Sequence, residues 1–263
     1  MRDYVRDKLN TMNSKGVEMS SLSTVILAAG KGTRMKSDLP KVLHPLNDRP
    51  MVHYVIDAAE QIQSEKVVLI IGHGRELVRE ALKNRNVKFA VQDPQLGTGH
   101  AVMQAAPEFQ NYDGNILVLS GDVPLLQAQS LQKLVDYHSQ QQPLATMLTT
   151  MMDDPTGYGR VVRDADGFVK EIVEEKDASE DIRKIREINV GIYLFDAKEL
   201  FATLPKVKND NKQGEYYLPD VLKIYVQHGE KIAAFPTENV EETHGINTVD
   251  QLKHAEEILL ERV

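Results

Sequence analysis

Residues 24–35 read Thr-Val-Ile-Leu-Ala-Ala-Gly-Lys-Gly-Thr-Arg-Met, a short apolar run that changes abruptly into two glycines flanked by cations. A continuous apolar run of this kind is typical of a strand at the centre of a parallel sheet, where both faces are covered. Such sheets bind ligands at the carboxyl ends of their strands, where the glycines lie. Glycine lets the backbone approach a ligand closely, and Lys31 and Arg34 add positive charge. The stretch therefore indicates a loop that binds phosphate groups.

The spacing of the glycines fits neither of the two common phosphate-binding motifs. G-x-x-x-x-G-K-[ST] is absent because no second glycine–lysine pair follows, and G-x-G-x-x-G fails at Met35. Taken alone, the stretch is also compatible with an ordinary strand-to-helix turn that carries two surface cations. If this loop binds phosphate, the chain belongs to a class of protein that carries neither of these two motifs.

Composition narrows the class of protein. The chain has 263 residues, 41% of them hydrophobic, which is enough for a sizeable core. Its net charge of −8 argues against non-specific nucleic-acid binding, and the lack of cysteine excludes disulfides, zinc–thiolate sites and thiol nucleophiles. No apolar run approaches the roughly 18 residues of a membrane span, and residues 1–22 lack the apolar segment of a signal peptide. We expect a cytoplasmic protein with no nucleic-acid or membrane partner.

The order of the elements predicts an α/β fold. Apolar runs alternate with helical patterns from residue 24 to about residue 150, which is typical of a doubly wound parallel sheet. The second half differs, because two predicted strands are joined by Asp-Ala-Asp-Gly at residues 164–167, a hairpin turn signal. We therefore expect a mostly parallel, Rossmann-like sheet that carries a partly antiparallel cap. The expected divisions are a mobile arm or cloning remnant (1–22), one domain (23–248) and a C-terminal helix (249–263).

Two charged residues are candidates for the chemistry. Asp122 ends the most apolar predicted strand, and a carboxylate at the tip of a central strand lies in the ligand crevice. Hard oxygen ligands suit Mg²⁺, which binds through one or two protein groups plus phosphate oxygens. The alternative for Asp122 is an ordinary turn or helix-capping role. Lys41 could neutralise a second anionic group beside the phosphate loop, or it could be an ordinary exposed lysine.

Three further segments are rich in polar groups that could recognise a ligand. The loop Gln92–His100 offers amide and backbone groups able to read a pyrimidine edge, unless it is a plain connection. Gly157–Arg160 and Glu174–Asp177 bracket the predicted hairpin, where glycines would admit a sugar and carboxylates would accept hydrogen bonds from its hydroxyl groups. Their alternative is a set of turns with a solvated charge run. Asn189 lies in a predicted strand, where asparagine is disfavoured, which indicates either a polar functional role or a position in an edge strand.

Taken together, these patterns resemble one family. The chain contains L-A-A-G-x-G-T-R-M, L-P-K-V-L, Q-L-G-T-G-H-A, G-D-V-P-L, G-Y-G-R, E-x-K-D-A, E-I-N-x-G-I-Y, G-E-Y-Y-L-P-D and G-I-N-T in this order. The set is similar to that of the sugar-1-phosphate nucleotidyltransferases, and within them to the N-acetylglucosamine-1-phosphate uridylyltransferases. The resemblance covers about residues 23–262.

The resemblance implies a Mg²⁺-dependent reaction between UTP and N-acetylglucosamine-1-phosphate, in which the cap binds the sugar. The implied nucleotide-binding residues are Leu27, Ala28, Ala29, Gly30, Lys41, Gln92, Gly97 and Thr98. Arg34 and Lys41 are implied as catalytic cations, Asp122 and Asn247 as Mg²⁺ ligands, and Gly159, Glu174 and Asn189 as sugar-binding residues.

Departures from the family pattern keep alternatives open. Ser120 stands where the family usually carries tyrosine, and Val190 replaces a common threonine, both beside the implied acetamido pocket. A related transferase acting on glucose-1-phosphate or thymidine triphosphate is therefore one alternative, and a non-catalytic nucleotide-sugar sensor is another. The hexapeptide-repeat acetyltransferase half of the bifunctional members is missing, so we expect a truncated protein or a stand-alone uridylyltransferase.

Overall fold

The computed structural model describes residues 20–262, and most of the predicted arm lies outside them. The first strand begins at Ser21, so the last two residues assigned to the arm belong to the sheet. Ser21 and Leu22 pair with Gly114 and Asn115 of a neighbouring strand, which explains their placement.

The secondary structure alternates as the sequence predicts. The strands are β1 (Ser21–Ala28), β2 (Pro45–Leu46), β3 (Arg49–Pro50), β4 (Val67–Ile71), β5 (Lys88–Val91), β6 (Gly114–Ser120), β7 (Ala145–Met151), β8 (Arg160–Arg163), β9 (Val169–Val173), β10 (Glu187–Asp196) and β11 (Ala233–Pro236). The helices are α1 (Met51–Gln61), α2 (Arg75–Ala81), α3 (Thr98–Met103), α4 (Ala128–Gln141), α5 (Glu180–Arg183), α6 (Ala197–Thr203), α7 (Asp220–Gln227) and α8 (Val249–Glu261). The short helix α5 was not expected from the sequence.

The main sheet has the strand order β11-β7-β10-β6-β1-β4-β5. β1 pairs in parallel with both β4 and β6, and β5 pairs in parallel with β4. Along this path only β10 runs antiparallel to its neighbours, β6 and β7. The prediction of a mostly parallel α/β sheet is confirmed.

Two apolar clusters cover the two faces of the sheet. Successive residues of β1 alternate between them, so Ile26 belongs to one cluster and Val25 to the other. Helices α1, α2 and α4 pack on the first face, and α3, α6 and α7 pack on the second. Because both faces are covered, the ends of the strands are left as the place where polar loops can meet a ligand.

The cap is attached through the antiparallel strand. Hairpin β8–β9 joins the sheet where Arg160 of β8 pairs with Ile188 of β10. The register of β10 against β7 shifts between Asn189 and Tyr193, and Gly191 has a φ of +82° there.

Within residues 20–262 no helix is both long and apolar enough to cross a membrane.

Candidate active site

The loop after β1 is held close to the turn that contains Lys41. Gly32 has a φ of +62°, and a Cβ atom there would lie 2.5 Å from the Cβ of Lys41, so only glycine fits. Gly30 faces open space, since a Cβ atom there would have no neighbour within 4 Å among the described residues. At the strand end, the Gly121 N–H donates to the Leu27 carbonyl over 2.9 Å. The loop therefore lies at the carboxyl ends of β1 and β6, as expected.

Four predicted residues meet at this edge of the sheet. The Lys41 ammonium pairs with the Asp122 carboxylate, and it donates to Asn247 Oδ1 over 2.6 Å. Arg34 Nη2 donates to the same Asn247 oxygen over 2.7 Å. The side chains of Lys41 and Asp122 are only 15% and 22% exposed, so water screens their attraction less than it would at an open surface. We call Arg34, Lys41, Asp122 and Asn247 the polar quartet.

The polar quartet offers a donor set that suits a hard divalent cation. Asp122 Oδ2 and Asn247 Oδ1 both converge on one positive group, the Lys41 ammonium. The Ile246 N–H donates to the Asp122 carbonyl over 2.8 Å, which holds the asparagine loop against the aspartate. Among the described residues no group of three or more His, Asp or Glu side chains could enclose a metal. Two protein oxygens with further ligands from phosphate and water would fit magnesium.

Hydrogen bonds from Gln92 to other residues of the loop Gln92–His100 hold this loop in its conformation. Gln92 is buried, and its Nε2 donates to the Gly97 carbonyl over 2.9 Å and lies 3.1 Å from His100 Nδ1. Burial lowers the pKa of His100, which favours the neutral ring that can accept this hydrogen bond. Gly97 has a φ of +105°, and a Cβ atom there would lie 2.6 Å from the Tyr216 carbonyl oxygen.

The brace extends to a segment to which no role was assigned from the sequence. Thr98 Oγ1 accepts from the Leu218 N–H over 3.0 Å, and the Gly99 N–H donates to the Tyr216 carbonyl over 2.8 Å. The motif G-E-Y-Y-L-P-D contains this segment and was the available signal. The backbone of this segment thus holds the first residues of α3 in place.

The loop after β1 and the loop Gln92–His100 are both close to Gly72. The His73 N–H donates to the Ala29 carbonyl over 3.2 Å, and a Cβ atom at Gly72 would lie 2.6 Å from Gln95 Nε2 and 3.0 Å from Ala29 Cβ. A cavity of about 370 Å³ opens beside this contact and is lined by Gln92 and Gln95. Gly72 and His73 were not singled out from the sequence, and Gln95 was included only as part of the loop Gln92–His100.

The three residues predicted to bind the sugar also lie together. The Asn189 N–H donates to the Gly159 carbonyl over 2.8 Å, and a Cβ atom at Gly159 would lie 3.2 Å from Glu174 Oε1. Burial raises the pKa of Glu174, and the nearby carboxylates of Asp177 and Asp220 raise it further. Asn189 Oδ1 accepts from the Tyr193 hydroxyl over 2.8 Å, which sets the orientation of the amide.

Tyr158, the residue before Gly159, lines a cavity together with Gly245 and Ile246, which precede Asn247 of the polar quartet. Burial raises the pKa of the Tyr158 hydroxyl, and the negative charge of Asp122 raises it further. A cavity of about 150 Å³ lies between Tyr158, Gly245 and the start of α8. Within the segment Gly157–Arg160, the sequence analysis assigned a role to Gly159 and none to Tyr158.

Comparison with known proteins agrees with this geometry. Residues 23–240 match the family described as Nucleotidyl transferase. Bifunctional protein GlmU of Listeria welshimeri is 49% identical over 245 residues, which are 93% of this chain and 53% of that protein. The protein of the same name from Bacillus cereus strain AH187 is 50% identical over the same shares. The chain thus spans about half the length of these relatives.

The fold also has a counterpart among solved structures. A crystal structure assigned as a glucose-1-phosphate thymidylyltransferase from Bacillus anthracis, in complex with sucrose, has a TM-score of 0.70 to this chain. The match covers 90% of this chain and 95% of the other at 22% identity, so it supports the fold alone. With the family match over residues 23–240 and the charged site at the expected sheet edge, the chain belongs to the nucleotidyl transferase family.

Proposed function

We propose that this chain transfers the uridylyl group of UTP to N-acetylglucosamine-1-phosphate and releases pyrophosphate. The observation that carries the proposal is the polar quartet, which combines two cations with two oxygen ligands at one strand edge. A phosphoryl-type transfer needs this combination, because positioning and charge neutralisation supply most of its catalysis. The sugar and base follow from the motif resemblance and from the similarity to the GlmU proteins.

The reaction needs no covalent bond to the protein. A phosphate oxygen of the sugar phosphate attacks the α-phosphorus of UTP in line, and the bond from that phosphorus to the bridging oxygen breaks as pyrophosphate leaves. Arg34 and Lys41 carry the positive charge that stabilises the departing pyrophosphate. The open backbone at Gly30, with Leu27, Ala28 and Ala29 before it, lines the phosphate side. When bound by Asp122 and Asn247, Mg²⁺ would neutralise charge on the phosphates.

The two remaining groups of residues divide the recognition of the substrates. Gln92, Gly97 and Thr98 belong to the braced loop beside the larger cavity, which is the proposed place of the uracil. Gly159, Glu174 and Asn189 form the proposed sugar side. The carboxyl group of Glu174, whose pKa is raised by burial, can accept a hydrogen bond from a sugar hydroxyl.

The proposal is tested by pyrophosphate release from purified protein with UTP and a panel of sugar phosphates. We expect turnover with N-acetylglucosamine-1-phosphate that stops when EDTA removes the divalent cation. Faster turnover of glucose-1-phosphate, or of thymidine triphosphate in place of UTP, would assign the chain to the related transferases. Silence with every sugar phosphate would favour a nucleotide-sugar sensor.

A further inference from the structure

Arg160 is a charged residue with almost no contact with solvent. Its side chain is 2% exposed, although it lies on the hairpin of the cap. Its Nη2 atom pairs with Glu175 Oε2 at 2.8 Å, and its Nη1 atom donates to the Tyr158 carbonyl. Its Nε atom is buried and has no hydrogen-bond partner among the described residues. Burying a guanidinium is costly unless it is paired, so its retention at this position calls for a reason.

The partners of Arg160 flank each of the three proposed sugar-binding residues. Glu175 directly follows Glu174, and Tyr158 directly precedes Gly159. Arg160 also pairs along the strands with Ile188, the residue before Asn189. The side chain and backbone of Arg160 thus join the three segments that contain the proposed sugar-binding residues.

From this arrangement we infer that Arg160 is a positioning residue for the sugar half of the site, an inference that rests on the proposed function. Its planar fork contacts a carboxylate and a carbonyl at once, which a lysine ammonium on a flexible stem cannot reproduce in the same geometry. Arg183 supports the arrangement from α5, because its Nε lies 3.4 Å from Glu175 Oε1. The guanidinium sets the separation of Gly159 and Glu174 without touching the sugar.

The same strand provides a matched control. Arg163 also contacts a carboxylate and a carbonyl, since its Nε donates to Glu187 Oε2 over 2.7 Å and its Nη1 donates to the Gly167 carbonyl over 2.6 Å. The Gly167 contact lies at the turn end of the hairpin, and Glu187 is the first residue of β10. Arg160→Lys and Arg163→Lys both keep the charge and both weaken a hairpin anchor.

The kinetic test measures KM for N-acetylglucosamine-1-phosphate and for UTP separately in both variants. We expect Arg160→Lys to raise KM for the sugar phosphate about tenfold, the effect of one displaced hydrogen bond, with KM for UTP unchanged. Arg163→Lys should change neither by more than about twofold. Equal changes in the two KM values, or equal effects of the two variants, would overturn the inference. Glu175→Gln, which removes the charge of the partner, should raise the same KM and replaces Arg160→Lys if that variant does not fold.

An NMR measurement separates this inference from the proposed function. In ligand-free protein labelled with ¹⁵N-glycine, Glu175→Gln, which weakens the Arg160 ion pair from a residue that is not a sequence neighbour of Gly159, should shift the amide signal of Gly159 more than that of Gly167, and Arg163→Lys should do the reverse. Equal shifts of both signals in both variants would overturn the positioning role, whether or not the chain is active. Wild-type protein that turns over no sugar phosphate would instead refute the proposed function.

Discussion

Replacing Lys41 by methionine removes the ammonium that joins Asp122 to Asn247. Methionine keeps the aliphatic stem that packs on Gly32, so the loop retains its shape. The lost ion pair and hydrogen bond are partly screened by water, because the two charged side chains are 15% and 22% exposed. We therefore expect the free energy of unfolding to fall by only about 1–2 kcal/mol.

The expected loss of catalysis is larger than this loss of stability. Removing one preorganised charge-stabilising group typically lowers kcat by about 10²–10³-fold. A domain with about 5–15 kcal/mol of stability stays folded after losing about 1–2 kcal/mol. The folded fraction of the variant would then stay near one, and the fall in rate would report the chemistry of the site.

The assay is pyrophosphate release at saturating UTP, together with thermal unfolding of the same samples. Lys36→Met is the matched control, since Lys36 is an exposed lysine in the same loop, and it should leave both rate and stability nearly unchanged. Binding of Mn²⁺ to the ligand-free chain should persist in Lys41→Met, because both oxygen ligands remain. A variant that keeps its rate within about threefold would show that Lys41 serves only to pair with Asp122, contrary to the 10²–10³-fold loss expected of a charge stabiliser.

Three other predictions concern separate parts of the molecule. Asp122→Ala should lower turnover by at least about a hundredfold and weaken Mn²⁺ binding measured by electron paramagnetic resonance, and normal binding would contradict the metal assignment. Gly159→Ala, whose Cβ would lie 3.2 Å from Glu174 Oε1, should raise KM for the sugar phosphate and leave KM for UTP unchanged in steady-state kinetics. Burial lowers the pKa of His138 from 6.5 to about 4, so the folded state binds fewer protons than the unfolded state between these values. The free energy of unfolding should therefore fall by up to about 3 kcal/mol as pH drops through this window. About 2 kcal/mol of that fall occurs between pH 7 and pH 5, and His138→Gln should lose it in urea unfolding measured at these two pH values.

Local patterns were sufficient to predict most elements of the sheet. The apolar runs of β1, β4 and β6 are recognisable because a strand covered on both faces tolerates few polar residues. Parallel strands end at one edge, so the glycines after β1 and Asp122 after β6 were expected to face one crevice. The structure agrees, because the Gly121 N–H donates a hydrogen bond to the Leu27 carbonyl at that edge.

Other features could not be read from neighbouring residues. The direction of β10 depends on which strands it pairs with, and its sequence is compatible with either direction. Nothing in the sequence predicted that Arg160 is buried, since arginine is rarely fully buried. Its burial became visible only when Glu175 and Tyr158 were placed around it.

The sequence by itself determined the alternation of strands and helices and the position of the glycine loop after β1, because backbone hydrogen bonding and side-chain periodicity act within a segment. Tertiary structure alone decided that Asn247 reaches Arg34 and Lys41, which lie more than 200 residues earlier in the chain. That contact depends on the packing of α8 beside β2 and on the hydrogen bond from the Ile246 N–H to the Asp122 carbonyl. The chemistry of each side chain is local, but which charges meet depends on how the whole core packs.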